Sequence, residues 1–275
     1  MNIIKILFLS LSLFSNSICY DINQMNINVW LSGAAYCNKN IYNTMQLSGP
    51  AKGFEYKTTL YDSKTDLQGF IGVLSSVKSI YVVLRGSSSG RNWLEDFEAR
   101  KVPYDSFPEC NCSVHHGFYN SALGIANQTI ESIIKIKKEY PNYKVIMSGH
   151  SYGASVSVLL GMELERNSIQ TQIYNFGQPR VGDKKSAAFI NIKIPEYYRT
   201  THNKDIVPHL PPTEIMDYFH SCREVFEDNI GNLILCSEFD CEDSKCSNQY
   251  KLRETNSEDH SYYLGHYLSC ESSII

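Results

Sequence analysis

One pentapeptide, Gly-His-Ser-Tyr-Gly at 149–153, constrains the fold of this chain more than any other feature. The apolar run 145–147 before it predicts a buried strand, and the pattern of small and apolar residues from 154 to about 166 predicts a helix. A strand that turns sharply into a helix needs glycine on both sides of the turn, because a Cβ atom there would clash. Ser151 is therefore expected at the tip of the turn, at a helix N-terminus that favours developing negative charge.

Predicted strands and helices alternate along the chain, which indicates an α/β fold with a mostly parallel sheet and helices on both faces. The sequence predicts strands at 79–84, 145–147, 172–176 and 197–201, a hairpin of 58–61 with 67–73, and helices at about 119–139 and 183–191. In such sheets the functional site lies beyond the carboxyl ends of the strands. Ser87, Ser151 and Asp205 all follow predicted strands, so we expect them at that edge.

The first 19 residues have the pattern of a secretory signal peptide. Lys5 gives a positive start, the apolar run 6–14 is too short to span a bilayer, and small residues precede a cleavage position before Tyr20. We expect 20–275 to be one α/β domain without a transmembrane segment. Its expected location is extracellular, or the lumen of the secretory and endolysosomal pathway.

Cysteine content agrees with export. The chain has nine cysteines, and the eight beyond the leader are an even number, which favours disulfides over metal ligation. Cys236, Cys241 and Cys246 are candidate zinc ligands, but they form no C-x-x-C pair, so no metal is expected. Sequons at Asn111 and Asn127 allow N-glycosylation.

Charge excludes one class of partner. The net charge is −4, and no basic patch indicates nucleic-acid binding.

A serine hydroxyl becomes a nucleophile when a histidine removes its proton and an acid orients that histidine. In an elbow-type hydrolase the chain order is serine, acid, histidine. Asp205 follows a strand, which favours it over Asp183 and Asp217. Four histidines that follow Asp205 then remain as candidates for the base: His209, His220, His260 and His266. His260 is favoured because it lies on a polar loop.

Six segments together resemble the class 3 lipases, also called fungal-type lipases, a branch of the α/β hydrolases. They are Val-Val-Leu-Arg-Gly-Ser-Ser-Ser-Gly-Arg-Asn-Trp-Leu-Glu-Asp (82–96), Val-His-His-Gly-Phe (114–118), Gly-His-Ser-Tyr-Gly (149–153), Asn-Phe-Gly-Gln-Pro-Arg-Val-Gly (175–182), Asn-Lys-Asp-Ile-Val-Pro-His-Leu-Pro-Pro (203–212) and Asp-His-Ser-Tyr-Tyr (259–263). The resemblance implies Asp205 as the acid and His260 as the base. It also implies an oxyanion hole formed by Ser87 and the backbone N–H of Tyr152, where many members have leucine.

The same resemblance implies further features. It maps one disulfide to Cys37–Cys270 and another to Cys236–Cys246. Cys222–Cys241 is plausible as a third, which leaves Cys110 and Cys112 for each other or as free thiols. The segment 88–97 would be a lid, with Ser88 in its hinge and Trp93, Leu94 and Phe97 on one apolar face. The sequence pattern alone also fits an ordinary surface helix whose apolar side packs permanently on the core.

The function expected from these observations is that of a secreted serine lipase acting on acylglycerols at a lipid–water interface, with no cofactor. The alternatives are a feruloyl-type or short-chain carboxylesterase on the same fold and a catalytically silent binding protein.

Overall fold

The computed structural model describes residues 20–87 and 99–275. The predicted signal peptide and the predicted lid residues Ser88, Trp93, Leu94 and Phe97 lie outside these ranges. Eight strands form the main sheet, in the order β1-β2-β3-β6-β7-β8-β9-β10. Their bounds are Glu55–Asp62 (β1), Leu67–Leu74 (β2), Ser79–Leu84 (β3), Lys144–His150 (β6), Thr171–Phe176 (β7), Tyr197–His202 (β8), Glu224–Glu227 (β9) and Leu233–Leu235 (β10).

The five central strands, β3, β6, β7, β8 and β9, run parallel, and antiparallel strands border them on both sides. Two short ladders lie outside the sheet: Lys101–Pro103 (β4) with Ser113–His115 (β5), and Tyr262–Tyr263 (β11) with His266–Tyr267 (β12). The helices are Ile22–Ala34 (α1), His116–Glu139 (α2), Tyr152–Arg166 (α3), Lys184–Lys193 (α4), Thr213–Met216 (α5) and Cys270–Ser273 (α6). This arrangement confirms the α/β-hydrolase fold expected from the sequence.

The sheet is buried on both faces, which is why its central strands are continuous apolar runs. One core cluster joins the sheet to α2, α3 and α4 through residues such as Ile125, Leu160 and Ile190. A second cluster covers the opposite face with α1, through Met25 and Leu31. In the described part of the chain, no helix is both long enough and apolar enough to cross a membrane.

Some elements differ from the sequence prediction in extent. Strand β6 continues to His150 and α3 begins at Tyr152, so the turn between them is tighter than the pattern indicated. Helix α2 begins at His116 because the His115 side chain accepts the Phe118 N–H, an unusual helix cap. Strand β2 is buried along its whole length, because both of its faces pack against core clusters.

Four disulfides are present: Cys37–Cys270, Cys110–Cys112, Cys222–Cys241 and Cys236–Cys246. The first joins the two ends of the described chain across 233 residues. In the loop-entropy model a bridge of this span stabilises the fold by about 5 kcal/mol. Backbone hydrogen bonds from Ser48 to Ser273 and from Ile275 to Gln46 reinforce the same junction.

An ion pair between the buried Arg180 and the partly buried Glu242 attaches the disulfide-rich loop after β10 to the rest of the fold. Glu242 accepts two hydrogen bonds from Arg180, at 2.9 and 2.8 Å, and a third from the His220 N–H. Burial alone would raise the pKa of the Glu242 carboxyl, but these partners outweigh burial and hold the pKa well below its usual range. Arg180 also donates to the carbonyls of His209 and Pro211, so the pair braces two loops.

Glu242→Gln is therefore predicted to destabilise the fold in a pH-dependent way. The pKa of Glu242 is lower in the folded than in the unfolded chain, so the ionised pair contributes stability above about pH 4.5 and loses it as the pH falls further. At pH 7 the variant should lose roughly 3–5 kcal/mol, because the positive charge of Arg180 stays buried without a carboxylate to compensate it. Urea unfolding at several pH values measures this, and equal pH slopes for the variant and the wild type would contradict it. The exposed Glu238, on the same loop, provides the control Glu238→Gln, which should change stability by less than about 0.5 kcal/mol.

Candidate active site

Ser151 occupies the turn between β6 and α3 in a backbone conformation that is rare for a residue with a side chain. Its φ is 57° and its ψ is −129°. The turn is possible because two glycines pack against each other: a Cβ on Gly149 would lie 2.6 Å from the carbonyl carbon of Gly153. The Ser151 N–H is held by the carbonyl of Phe176 at 3.0 Å. The elbow expected from the sequence is therefore present, with Ser151 at its tip.

His260 and Asp205 are brought together from positions 55 residues apart. The Nδ1 atom of His260 lies 2.8 Å from Oδ2 of Asp205. Because a carboxylate only accepts, Nδ1 carries the imidazole proton and Nε2 remains the basic atom. The second carboxylate oxygen, Oδ1, accepts the Val207 N–H at 2.8 Å, which fixes the orientation of the acid.

Tyr263 is a third partner of this pair. Its hydroxyl donates to the same Asp205 oxygen that His260 contacts. Burial raises the pKa of this phenol well above its usual value, and the Asp205 charge raises it further, so Tyr263 remains a donor at physiological pH.

The loop of His260 packs against the elbow that carries Ser151. His150, the neighbour of Ser151, has its ring centroid 4.3 Å from that of His260. Among the described residues, no hydrogen bond joins the Ser151 hydroxyl to the imidazole. In hydrolases without substrate this contact is often long and tightens when substrate binds.

The remaining candidate histidines lie elsewhere in hydrogen-bonding terms, and two of them, His220 and His266, have partners of their own. His209 is buried in a short helical turn at Val207–His209. His220 Nε2 lies 2.7 Å from the Pro208 carbonyl oxygen, and His266 stacks on Trp30 with centroids 4.2 Å apart. Burial lowers the pKa of His266 to about 4, so it is neutral at neutral pH. None of the three is hydrogen-bonded to the Asp205 carboxylate, whose partners are Val207, His260 and Tyr263.

The two rejected acids also have other roles. Asp183 caps α4 by accepting the Ser186 N–H at 2.8 Å. Asp217 is mostly exposed and pairs with Lys101 at 3.3 Å.

The two residues expected to form the oxyanion hole flank Ser151. Ser87 follows β3 at the carboxyl edge of the sheet, and the neighbouring Gly86 is so close that a Cβ there would lie 3.0 Å from the Ser151 Cβ. Tyr152 is the first residue of α3, where a helix directs its N–H groups towards negative charge. Its ring packs on Phe118 and its hydroxyl lies 2.5 Å from the Ser121 hydroxyl. Tyrosine at this position is therefore accommodated by α2.

The remaining candidate residues lie away from this site. Cys236, Cys241 and Cys246, considered above as zinc ligands, are all in disulfides. In residues 20–87 and 99–275, no three or more His, Cys, Asp or Glu side chains are grouped so that they could hold a metal ion. The sequon residues Asn111 and Asn127 are both exposed, the second on α2.

The roles of two residues of the site, Gly177 and Tyr263, were not predicted from the sequence. Gly177, after β7, has a φ of 54°, and a Cβ there would lie 2.8 Å from both Cε1 and Nδ1 of His260. Glycine at this position therefore allows the loop after β7 to pack directly against the imidazole of His260. Tyr263 stands three residues after His260, in the segment 259–263 that carries part of the family resemblance, and this position is the signal that could have marked it.

Together, the sheet, the elbow and the residues gathered at its carboxyl edge define an α/β hydrolase. The family model of class 3 lipases matches residues 81–215. The lipase of Rhizomucor miehei is 32% identical over 258 residues, which cover 89% of this chain and 69% of that protein. This chain belongs to the class 3 lipase family.

Other similar proteins agree with this assignment. The secreted mono- and diacylglycerol lipase 1 of Fusarium solani is 27% identical over 76% of this chain, which spans only 64% of that protein. A solved triacylglycerol lipase, described as having a serine-protease triad as its catalytic centre, superposes with a TM-score of 0.83 at 30% identity, covering 90% of this chain and 96% of the other. The Rhizomucor miehei lipase–propeptide complex gives a TM-score of 0.81 at 32% identity, covering 89% of this chain and 80% of the other.

Gly177→Ala is predicted to reduce turnover by displacing His260. A misplacement of about 1 Å in a reacting group costs on the order of 10²-fold in rate, so we expect a loss of that size in kcat toward a dissolved p-nitrophenyl ester. Gly231→Ala is the matched control, because Gly231 also has a positive φ, 85°, but has nothing within 4 Å of the added Cβ. Equal kcat values for the two variants would show that Gly177 does not support the imidazole.

Proposed function

We propose that this protein is a secreted serine lipase that hydrolyses carboxylic ester bonds of acylglycerols. The observation that carries the proposal is the buried hydrogen bond between His260 and Asp205, beside a serine at the tip of a strand–helix elbow. The names of the similar proteins, acylglycerol lipases, support the substrate class.

In the proposed mechanism, Ser151 Oγ attacks the ester carbonyl carbon while Nε2 of His260 takes the hydroxyl proton. Asp205 stabilises the imidazolium that forms and, together with Tyr263, keeps the ring oriented. The imidazolium then protonates the departing alcohol, which leaves an acyl group on Ser151. A water molecule, deprotonated by His260, attacks the acyl carbonyl and releases the fatty acid and the free serine.

Charge on the tetrahedral oxygen would be stabilised by Ser87 and by the backbone N–H of Tyr152. Both lie at the carboxyl edge of the sheet, and the helix N-terminus at Tyr152 adds a favourable dipole. These donors act on charge that develops only during the reaction, so their contribution should appear in kcat.

We also propose that residues 1–19 are a signal peptide, that 20–275 form one domain, and that the mature protein is extracellular. Disulfides and exposed sequons at Asn111 and Asn127 support an exported chain. The segment carrying Ser88, Trp93, Leu94 and Phe97 is proposed as a lid, on the pattern of its sequence and the family resemblance.

Two alternatives are separated by experiment. A feruloyl-type or short-chain esterase would prefer dissolved esters to emulsified acylglycerols. A silent binding protein would hydrolyse neither. The binding-protein alternative is disfavoured, because binding alone does not require the strained Ser151 backbone or the Asp205–His260 hydrogen bond.

Replacing Ser151, Asp205 or His260 by alanine is predicted to lower kcat for an emulsified acylglycerol by roughly 10⁴-fold or more. The three losses should not add in a triple variant, because the residues act as a unit. His266→Gln is the control, since His266 is buried but contacts Trp30 and Ser273 rather than the site. It should retain turnover. Substantial turnover in Ser151→Ala would refute the proposed function.

Trp93→Ala is predicted to weaken the response to an interface. If the apolar face of 88–97 binds lipid and uncovers Ser151, the rate should rise abruptly when the ester exceeds its solubility limit. The variant should reduce this rise more than it slows hydrolysis of dissolved ester. A smooth rate curve through the solubility limit, with an equal effect on both substrate forms, would contradict the lid and favour the soluble esterase.

A further inference from the structure

Tyr36 and His150 form a chain of hydrogen bonds behind the proposed catalytic residues. The Tyr36 hydroxyl lies 2.6 Å from Nδ1 of His150, and Nε2 of His150 lies 2.7 Å from the carbonyl oxygen of His260. A carbonyl oxygen only accepts, so Nε2 carries the proton and, in a neutral ring, Nδ1 is an acceptor. Tyr36 must then donate to Nδ1, while its oxygen accepts the backbone N–H of Gly86.

The surroundings of His150 keep its ring neutral. Burial, followed by the neighbouring His260, lowers the pKa of His150 well below its usual value. The groups that face it are Tyr36 from the segment after α1, and His260 and Tyr263 from the C-terminal loop, with Arg85 acting on Tyr36 from the loop after β3. A positive charge on His150, 4.3 Å from the His260 ring, would oppose the imidazolium that catalysis requires.

The residues around Tyr36 and His150 are closely packed. A Cβ on Gly86 would overlap the Tyr36 hydroxyl and would lie 3.0 Å from both the His150 carbonyl oxygen and the Ser151 Cβ. Tyr36 is next to Cys37, whose disulfide fixes this segment to the C-terminal end. The hydrogen-bond chain thus joins the loop before Ser87, the elbow before Ser151 and the loop of His260.

We propose that Tyr36 and His150 are positioning residues, which hold the His260 backbone at its working distance from Ser151 and hold the Gly86–Ser87 loop over the elbow. The inference rests on the proposed hydrolase function and assigns both residues a role in that reaction. Neither side chain is hydrogen-bonded to the Ser151 hydroxyl or to the ring nitrogens of His260, although the His150 ring packs against the His260 ring. Their effect is expected on turnover and not on substrate affinity.

The first test compares Tyr36→Phe with Tyr42→Phe. Both variants remove one hydrogen-bonded hydroxyl from the same N-terminal segment, but Tyr42 donates to the Ala35 carbonyl, at 2.6 Å, rather than to the site. Tyr36→Phe should lower kcat for a dissolved ester roughly 10- to 100-fold with KM within about twofold, while Tyr42→Phe keeps the wild-type kcat. Equal kcat values in the two variants, at equal thermal stability, would overturn the proposal.

The second test compares His150→Gln with His150→Leu. A glutamine amide can still donate to the His260 carbonyl, whereas leucine fills similar space without a donor. We expect His150→Gln to retain at least about tenfold more kcat than His150→Leu. Equal losses of kcat in the two variants would show that His150 acts through packing alone, which would contradict its proposed role as a hydrogen-bond donor.

A third measurement does not depend on turnover. In ¹⁵N-histidine NMR spectra of the wild-type protein, His150 should carry its proton on Nε2 and should not titrate between pH 5 and 8. A proton on Nδ1, or titration in this range, would refute the hydrogen-bond chain even in an active enzyme. Failure of the proposed function is recognised separately, by turnover that survives in Ser151→Ala.

Discussion

The turn at Ser151 is the constraint on which the rest of this structure depends. A residue with φ of 57° and ψ of −129° is held in an unfavourable backbone conformation, and such strain persists only where the surroundings determine it. Here the surroundings are the close packing of Gly149 on Gly153, the Ser151–Phe176 hydrogen bond and the buried strand β6. The parallel sheet supplies all three, so the fold itself fixes the position of the hydroxyl.

Parallel topology also explains why distant segments meet at one place. Loops after β3, β6, β7 and β8 bring Ser87, Ser151, Gly177 and Asp205 to one edge of the sheet. His260 comes from the C-terminal loop instead, and its position depends on bonds to Asp205 and His150 and on the space left by Gly177. The Cys37–Cys270 bridge and the stacking of Trp30 on His266 join the chain ends close to that loop. The sheet thus positions Ser87, Ser151 and Asp205, whereas segments anchored by the Cys37–Cys270 disulfide support the loop of His260.

Sequence patterns predicted the parts of this arrangement that depend on local rules. The glycine pair at 149 and 153 predicts the elbow, and continuous apolar runs predict the central strands. Strand β9 was missed because its end residues, Glu224 and Glu227, are charged, yet both are buried and hydrogen-bonded in the fold. Contacts through a single hydroxyl leave no periodic signal. Tyr36 and His150 are 114 residues apart, and only the folded chain brings them together.

The most direct test of the account is covalent labelling of the folded protein with a fluorophosphonate, followed by mass-spectrometric peptide mapping. The account predicts one adduct, on Ser151, that forms much more slowly in His260→Ala, because the activated hydroxyl attacks phosphorus as it would attack an ester. Absence of an adduct, or an adduct on another serine such as Ser87, would contradict it.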